Sequence, residues 1–370
     1  MKKVIIIHFR SVKDYPPVIN AARYLASRNM LVTIFSGRHS RSLFSFQQEG
    51  ITLRQFFFKS GIPLVEYVRY GWFYFASFLE LVKTRNTPIL YYESISALPV
   101  WLYFLIFRNS KRPLFIHYHE YFTKVEYTGQ TLLERVGRKV EPSLFRRAVW
   151  ISHTNPERLT FHQQDFPLLQ AQQVHVLPNY PSSQWLATPS RNVDYEKPPF
   201  QIVYVGSLSL KGTYIRELLE WVKAQAGNVV CDVYCQNVTP EILELLGSQP
   251  QALISYKGTI PYDELPTVLP RYHAGLVLYS GAYTNFIYNA PNKIFEYLAC
   301  GLDVWCPDVL ISSKPYQQTD AYPKMIMVDF AQLHTFDYSQ ALSRAGIPFR
   351  PSPYTMESVY EGLYQKLIQC

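Results

Sequence analysis

Short apolar runs alternate with longer amphipathic stretches along the first half of this 370-residue chain. The apolar runs predict buried strands that start near Val4, Leu31, Ile51, Pro88, Pro113 and Ala148. Stretches with apolar residues at helical spacing separate these runs, and the longest are Leu64–Lys83 and Gln130–Arg147. Strands that alternate with helices in this way favour an α/β fold with a mainly parallel, doubly wound sheet.

The pattern changes near residue 186, where the segment LATPSRNVDYEKPP has three prolines and no apolar period. We predict a linker there, over 186–199, between an N-terminal domain over 1–185 and a second domain over 200–352. The alternation restarts in the second domain, and the last segment, 353–370, predicts an amphipathic helix that could pack back on the N-terminal domain. Ligands of doubly wound sheets bind beyond the carboxyl ends of the strands, so we expect a cleft between the domains to hold the site.

The segment YVGSLSLKG, Tyr204–Gly212, is the first candidate for chemistry. A strand ends at Gly206, a short turn follows, and Lys211 comes just before a helix expected over about Thr213–Gln225. Backbone amides in a glycine turn and at a helix N-terminus suit a diphosphate, and a lysine adds positive charge. An ordinary turn with an exposed lysine explains the same pattern. The segment matches neither G-x-G-x-x-G nor the Walker loop, which disfavours a dinucleotide or P-loop ATP site.

The segment NAPNKIFEYLACGLDVWC, Asn289–Cys306, is the second candidate. Its pattern predicts a helix over about Asn292–Ala299 that Gly301 ends, followed by a buried strand. Glu296 lies inside this helix, three positions after Lys293. By itself, Glu296 is also explained as a helix-surface carboxylate that faces water.

Together, the two segments resemble the C-terminal domain of family 4-type glycosyltransferases with the GT-B fold. That family pairs a strand–glycine–lysine–glycine turn with a proline-rich loop that leads into an F-E-Y/A-hydrophobic-A-x-G helix. In the N-terminal half, FIHYHEY (Phe115–Tyr121) is similar to the family's strand that ends in a His-Asp/Glu pair, and VLPNYP (Val176–Pro181) is similar to its strand that ends in Asn. The resemblance spans nearly the whole chain and implies two doubly wound, Rossmann-like domains that face a central cleft.

The resemblance also implies an activity. It implies a hexosyltransferase-like enzyme that moves a sugar, with retention, from a UDP- or GDP-linked donor to a lipid-linked or saccharide acceptor in cell-surface polysaccharide biosynthesis. The nucleotide-sugar is then a substrate, and no cofactor is expected. The sequence has no DxD motif where a metal would bind, in line with metal-independent transfer.

The resemblance assigns roles residue by residue. It gives Glu296 the ribose hydroxyls of the donor, gives Lys211 the diphosphate, and places His119 on the acceptor side near the transferred sugar. The implied catalytic residues are His119, Lys211 and Glu296. The implied donor-binding residues are Gly206, Ser207, Lys211, Pro291, Asn292, Lys293 and Glu296.

Two positions depart from the family pattern. Tyr288 stands where many members have a second glutamate, and Ser207 stands where many have an arginine. Members with the PNK-type loop commonly lack that glutamate, whereas Ser207 leaves the diphosphate with fewer cations. A catalytically impaired GT-B-like protein, which binds a nucleotide or acts as a scaffold, is therefore the alternative hypothesis. A GT-B epimerase that acts on a UDP-sugar shares the architecture but lacks a supporting set of carboxylates here.

The run HYHE also suggests a metal site, because His117 and His119 would share one face of a strand. No third ligand is evident from the sequence, so a structural or substrate-contacting pair is the favoured interpretation. No metal is therefore expected. None of the five cysteines falls in a zinc-type CxxC spacing, and we expect them to be small buried side chains in a reducing cytosol.

Composition and charge narrow the choice further. With 48% hydrophobic and 17% charged residues, the chain is not generally disordered. Residues 1–185 have 23 basic and 11 acidic side chains, a net charge of +12, whereas residues 186–370 have 13 and 17, a net charge of −4. The long uncharged run SISALPVWLYFLIF has 14 residues, short of the roughly 20 needed to cross a bilayer, so no transmembrane helix is expected.

Basic residues border the aromatic stretches of the N-terminal half, which suits a membrane interface. Core helices with solvated ends explain the same pattern. The predicted membrane or acceptor patch consists of Arg69, Lys83, Arg85, Arg108, Lys111 and Arg112. We expect a cytoplasmic protein that is peripheral at the inner face of an anionic membrane. No nucleic-acid partner is expected, because no recognisable binding module occurs.

Overall fold

The computed structural model describes residues 2–41, 43–187, 194–236 and 238–370. It divides into two compact units, Met1–Asn179 with Met356–Cys370 and Tyr180–Thr355. The C-terminal segment thus belongs to the same unit as the N-terminal half of the chain. The linker predicted over 186–199 falls partly outside the described residues. Within the described ranges, no helix has the length and hydropathy that crossing a bilayer requires.

A seven-stranded sheet forms the centre of the first unit. Its strands are β1 (Lys3–Ser11), β2 (Leu31–Arg38), β3 (Ile51–Phe57), β4 (Ile89–Tyr92), β5 (Leu114–Tyr118), β6 (Ala148–His153) and β7 (Val174–Val176). They lie in the order β3-β2-β1-β4-β5-β6-β7. β1 pairs in parallel with β2 on one side and with β4 on the other. The chain therefore builds the sheet outward in two directions from β1 and β4.

Helices cover both faces of this sheet, because successive residues of a buried strand point to opposite sides. The helices are α1 (Pro16–Ser27), α2 (Pro63–Lys83), α3 (Ala97–Ile106), α4 (Lys124–Thr128), α5 (Leu132–Phe145) and α6 (Pro156–Asp165). Val4 and Ile6 of β1 share a core with α1, whereas Ile5 and Ile7 share the opposite core with α2, α3 and α5. The helices α2, α3 and α5 thus form a layer on one face, called the outer helical layer below.

The second unit repeats this plan with a six-stranded sheet. Its strands are β8 (Phe200–Val205), β9 (Val229–Tyr234), β10 (Ile254–Gly258), β11 (Ala274–Leu276), β12 (Asp303–Pro307) and β13 (Met325–Val328). They lie in the order β10-β9-β8-β11-β12-β13. Its helices are α7 (Ile215–Ala224), α8 (Pro240–Gly247), α9 (Leu265–Val268), α10 (Thr284–Ile287), α11 (Asn292–Ala299) and α12 (Tyr338–Leu342). The last helix, α13 (Met356–Gln369), packs in the core of α1 in the first unit.

The predicted fold class is confirmed, because both units are doubly wound α/β sheets of the Rossmann type. The long aromatic helix predicted over Leu64–Lys83 is α2, and the helix predicted over Gln130–Arg147 is the shorter α5. The cysteines are all free. The expectation of buried cysteines is confirmed for Cys231, Cys235, Cys300 and Cys306 and is wrong for Cys370, which is exposed at the end of α13.

A buried carboxylate ties α5 to the sheet of the first unit. The side chain of Glu141 accepts hydrogen bonds from the hydroxyls of Tyr118 at 2.6 Å, Ser94 at 2.7 Å and Tyr91 at 3.1 Å. Burial raises the pKa of Glu141 to about 7, although these hydroxyl donors act in the opposite direction. Its three donors come from β4, the loop after β4, and β5, so Glu141 joins the layer of helices to the centre of the sheet.

We predict that Glu141 makes the protein less stable as pH rises from about 4.5 to about 7. In this window the folded state binds more protons at Glu141 than the unfolded state does, so the free energy of unfolding falls with pH. A displacement of the pKa from 4.5 to about 7 corresponds to about 3 kcal/mol. Urea unfolding near pH 5 and near pH 8 should therefore show a smaller difference in Glu141→Gln than in the wild type. Glu244→Gln, at an exposed position on α8, is the control. If the free energy of unfolding changed equally between pH 5 and pH 8 in the two variants, the prediction would be contradicted.

Candidate functional site

The strand order of the second sheet reverses between β8 and β11, which lie side by side. β8 pairs with β9 on its other side, and β11 pairs with β12. In doubly wound sheets a crevice opens at the carboxyl ends of two such strands, and ligands bind there. The loop 206–212 follows β8, and the segment 277–283 follows β11. Both motif segments from the sequence are therefore connected to this edge of the sheet.

The loop after β8 is held at several points by its neighbours. The Gly206 N–H donates to the Tyr234 carbonyl at 3.0 Å, and the Tyr204 hydroxyl donates to the Ser207 carbonyl at 2.7 Å. Ser280, from the segment after β11, donates its N–H to the Gly212 carbonyl at 3.0 Å and its hydroxyl to the Lys211 carbonyl at 2.8 Å. The loop backbone is thus fixed without the help of the Lys211 side chain.

The Lys211 side chain is exposed, and its ammonium lies 5.5 Å from the centre of the Tyr283 ring. Within the described part of the chain, no carboxylate forms an ion pair with it. A ring face attracts a cation, but it leaves the N–H groups of the ammonium unsatisfied. Lys211 is therefore a cation that stays available for an anionic ligand beside the loop.

The helix α11 brings the second motif to the same edge of the sheet. It starts at Asn292, directly after Pro291, and the carbonyl of Asn289 is fixed by the Ser313 hydroxyl at 2.7 Å. The first N–H groups of a helix have no intrahelical acceptor and carry partial positive charge, which suits a phosphate or a sugar hydroxyl. The amides of Asn292 and Lys293 are in this position.

Glu296 is almost completely buried on α11, at 1% exposure, so the water-facing interpretation of this residue is wrong. One carboxylate oxygen, Oε2, accepts from the ammonium of Lys293, one turn earlier on the helix. The other, Oε1, accepts no hydrogen bond from the described residues. A carboxylate on a buried residue is costly unless a ligand or water satisfies the oxygen that lacks a protein donor. Glu296 is therefore a ready acceptor for hydroxyl groups.

Tyr297 locks α11 against the ends of both strands, a role that the sequence did not predict. Its hydroxyl accepts from the Val205 N–H at the end of β8, at 3.0 Å. Its ring covers Gly275 of β11 so closely that a Cβ atom there would lie 2.3 Å from the ring. Lys211, the glycine loop and Glu296 are therefore brought to one sheet edge by β8, β11 and this tyrosine.

His119 belongs to the first unit, where it follows β5. The backbone N–H of His119 donates to Glu93 Oε1 at 2.7 Å, and the Tyr15 hydroxyl donates to the same oxygen at 2.8 Å. Burial and the nearby Arg158 guanidinium hold the pKa of His119 well below its usual range, so the imidazole is neutral. Nδ1 of this ring is buried and has no hydrogen-bond partner.

Glu93 was missed by the sequence reasoning, although it directly follows β4 at the point where the first sheet reverses its order. It adopts a φ of 64°, a left-handed conformation that is strained for a glutamate. Burial, together with the nearby Glu120, raises the pKa of Glu93 to about 7. Arg10, which forms ion pairs with Glu120 and with Glu134 at 3.0 Å, completes a charged cluster at this edge. The position of Glu93 directly after a strand, at the reversal point, is the signal in the sequence that could have identified it.

The run HYHE does not gather metal ligands. Nδ1 of His117 lies 2.9 Å from the Ser152 hydroxyl, and burial lowers the pKa of His117 to about 3. Among the described residues, no group of three or more His, Cys, Asp or Glu side chains is arranged to hold a metal ion. His117 therefore packs as a neutral residue inside the first sheet.

The residues of the predicted basic patch lie in different environments. Lys83, Arg85, Arg108 and Lys111 are exposed. Arg69 is half-buried and donates to the Lys59 carbonyl at 2.7 Å.

Arg112 does not belong to a surface patch, which corrects the prediction. It is 5% exposed, and its guanidinium donates to the carbonyls of Thr87 at 2.5 Å and Leu81 at 2.6 Å. It also lies over the Tyr103 ring, 5.0 Å from the ring centre. Arg112 therefore satisfies carbonyls at the end of α2 and is a structural residue.

No family model matches the chain, and no curated protein matches it. Solved structures do match. Sucrose-phosphate synthase from Thermosynechococcus elongatus matches with a TM-score of 0.66 and 14% identity, over 100% of this chain and 99% of that chain. The Anabaena protein HepE in complex with UDP matches with a TM-score of 0.64 and 12% identity, over 100% of both chains. The lipopolysaccharide outer core galactosyltransferase WaaB, in its apo form, matches with a TM-score of 0.59 and 14% identity, over 99% and 98%. At these identities the likeness establishes the fold, which is the GT-B fold of glycosyltransferases.

We predict that Tyr297→Phe lowers the free energy of unfolding by about 1–3 kcal/mol, because the buried Val205 N–H loses its acceptor. Urea unfolding measures the change. Tyr256→Phe is the matched control, since the Tyr256 hydroxyl is half-buried and makes a longer hydrogen bond, 3.3 Å, to the Cys235 carbonyl. Equal losses in the two variants would show that Tyr297 does not fix α11 through Val205.

Proposed function

We propose that this protein is a glycosyltransferase that takes its sugar from a nucleotide-sugar donor bound at the reversal point of the second sheet. The observation that carries the proposal is a pair of groups there, the exposed ammonium of Lys211 and the carboxylate of the buried Glu296, whose Oε1 accepts no hydrogen bond from the described residues. One suits the diphosphate of a donor and the other suits its ribose hydroxyls. The GT-B fold and the resemblance of the two motifs support the same function.

The proposed chemistry follows from the charge that develops on the leaving group. The bond between the anomeric carbon and the diphosphate oxygen breaks, and a bond from that carbon to an acceptor hydroxyl oxygen forms. The acceptor proton passes to the departing diphosphate, so atoms and charge balance. Lys211 and the amides at the start of α11 would stabilise the departing diphosphate from fixed positions. Lys293 could add a second cation when a donor hydroxyl replaces it at Glu296.

The finer features of the reaction are proposed on the resemblance. We propose a hexosyltransferase-like reaction that retains the configuration of the sugar, with a UDP- or GDP-linked donor and without a metal. The nucleotide-sugar donor is a substrate, consumed together with the acceptor, and not a cofactor. Without a metal, Lys211 and Lys293 would stabilise the negative charge that develops on the departing diphosphate.

For the acceptor, we propose a saccharide or a lipid-linked glycan in cell-surface polysaccharide biosynthesis. His119 would lie near the transferred sugar, and its neutral imidazole can donate or accept a hydrogen bond with a hydroxyl. We further propose that the protein is cytoplasmic and peripheral at the inner face of a membrane. The exposed side chains of Lys83, Arg85, Arg108 and Lys111 support this location.

A catalytically impaired nucleotide-binding or scaffold protein is the second candidate. It is favoured by Ser207 and Tyr288, which replace charged residues of the family pattern. Lys211 is then the one cation in the loop 206–212. Both candidates bind a nucleotide, so turnover is the property that separates them.

We predict that UDP or GDP raises the melting temperature of the wild type more than ADP does. Lys211→Ala and Glu296→Gln should each weaken nucleotide or nucleotide-sugar binding by about 10- to 100-fold, since each removes a charge-assisted contact of about 1.5–3 kcal/mol. Thermal shift against ligand concentration measures both effects. Lys223→Ala, an exposed lysine on α7, is the control and should bind as the wild type does. Unchanged affinity in Lys211→Ala and Glu296→Gln would overturn the site.

Turnover then decides between the two candidates. UDP- and GDP-sugars are incubated with saccharide and lipid-linked acceptors, and release of the nucleoside diphosphate is measured together with the glycosylated product. We expect product from the wild type and a loss of rate in Lys211→Ala. Donor binding without product on a broad acceptor panel would favour the scaffold, and an isomerised nucleotide-sugar would favour an epimerase.

A further inference from the structure

The helix α2 has an apolar face with no partner in the described structure. One side packs into the first unit through Phe73 and Leu81. The opposite side is exposed and apolar along almost the whole helix, which a surface helix of a globular protein normally is not. The exposed side chains of this stripe, the α2 stripe, are Leu64, Tyr67, Val68, Trp72, Phe75 and Leu79. Trp72 is 58% exposed and Phe75 51% exposed.

The neighbouring helix α3 continues the apolar surface. The two helices contact each other in the outer helical layer. Leu102, Leu105 and Ile106 of α3 are exposed. An ordinary protein surface has single, scattered apolar residues. A contiguous exposed apolar surface of this kind therefore marks an interaction site.

The exposed charges of the outer helical layer and of the turns at its ends are positive. They are Lys83, Arg85, Arg108, Lys111, Arg135, Lys139 and Arg146. The acidic residues of the three helices are occupied within the protein and are not exposed. Glu66 accepts from the amides of Ser60 and Gly61, Glu80 pairs with Arg54, Glu134 pairs with Arg10, and Glu141 is buried.

A cationic groove lies where the ends of α2 and α3 meet. Arg85, Arg108 and Lys111 line it, together with the apolar Ile106. From the residues that the structure describes, the guanidiniums of Arg85 and Arg108 receive contacts from backbone carbonyls and one ring, so they keep N–H groups for an anionic headgroup. Cys370, the exposed cysteine, also lines this groove.

We propose that the outer helical layer docks on an anionic lipid bilayer, with the α2 stripe in the acyl boundary and the surrounding basic residues at the headgroups. An amphipathic surface helix binds membranes in this way, through buried apolar area and attraction to anionic lipids. Charge complementarity selects this occupant, because among the described residues the exposed charges around this apolar surface are positive and fit a negatively charged sheet of phosphates. The inference rests on the proposed function in that it names the surface responsible for the proposed peripheral location and gives the enzyme a lipid-linked acceptor to reach.

Vesicle binding tests the surface directly. We expect the wild type to co-sediment with phosphatidylcholine vesicles that contain about one third phosphatidylglycerol. Its binding to vesicles of phosphatidylcholine alone should be weaker by about 10-fold or more. Trp72→Ser with Phe75→Ser should lower binding by about 10-fold or more, and so should Lys83→Glu with Lys111→Glu. The matched controls are Leu243→Ser, an exposed leucine on α8, and Lys223→Glu on α7, which should bind as the wild type does. Equal binding by all variants would overturn the proposal.

The native cysteine gives a second measurement. Cys370 is the exposed thiol of the chain and lines the groove, so an environment-sensitive dye attached there should shift its emission to the blue on anionic vesicles. Lipids with brominated acyl chains should quench Trp72, and Trp72→Phe should lose that part of the quenching. Vesicle binding without the dye shift or the quenching would place the lipid contact elsewhere and overturn the assignment to this layer.

Other occupants and misfolding give different outcomes. A concentration-dependent dimer in light scattering that Trp72→Ser with Phe75→Ser abolishes, without vesicle binding by the wild type, would assign the face to a second copy. Melting curves of the variants, with and without UDP or GDP, show whether they fold and bind a nucleotide. Nucleotide binding and turnover without vesicle binding overturn the docking surface and the proposed peripheral location but leave the proposed glycosyl transfer in place. Vesicle binding without nucleotide binding overturns the proposed glycosyl transfer and leaves the docking surface in place.

Discussion

Both sheets reverse their strand order at an inner pair of strands, and the position of every candidate group depends on that reversal. The pairs are β1 with β4 in the first unit and β8 with β11 in the second. The connections after the two strands of a pair diverge to opposite faces, so their first residues stay beside an open crevice. Polar groups are costly elsewhere in these sheets, because helices cover both faces. Glu93 thus collects near the first pair, and the loop 206–212 and α11 collect near the second.

Three glutamates, the buried Glu141 and Glu296 and the half-buried Glu93, show how such groups can be sorted into structural and functional ones. Glu141 receives a hydrogen bond from each of three hydroxyls, two on Oε1 and one on Oε2, so neither of its oxygens lacks a donor. Glu93 uses one oxygen to hold the Tyr15 hydroxyl and the backbone of His119 and therefore shapes the loop after β5. Glu296 has one hydrogen-bonding side-chain partner among the described residues, Lys293, on its own helix. A partner one turn away and a quarter exposed can move, so Glu296 is the carboxylate that a ligand can most readily recruit.

The sequence predicted the fold well because buried parallel strands and amphipathic helices leave a periodic signal. It also placed Glu296 and Lys211 next to the correct elements, since both lie within a few residues of a strand or helix end. It could not predict that Arg112 is buried, because charge alone indicates the surface and its carbonyl acceptors come from a different part of the chain. Tyr297 was missed for a related reason. An aromatic residue in an apolar run is indistinguishable from core until Gly275 and Val205 are brought against it.

The helix α2 shows where a periodicity argument ends and a three-dimensional one begins. The ten residues between Arg69 and Glu80 are uncharged and mostly aromatic or aliphatic, so this part of the helix is apolar on nearly all sides. Such a helix is expected inside a protein or in contact with lipid. Only the packing of Phe73 and Leu81 against the sheet shows which side remains outside. The net charge of the chain is divided unevenly, because the first half has the excess of basic residues and the second half has a small excess of acidic residues. An anionic surface would attract the unit that has the apolar stripe, and the exposed charges at the C-terminal end of α2, Lys83 and Arg85, are basic, so electrostatic attraction and burial of the stripe act on the same surface of that unit.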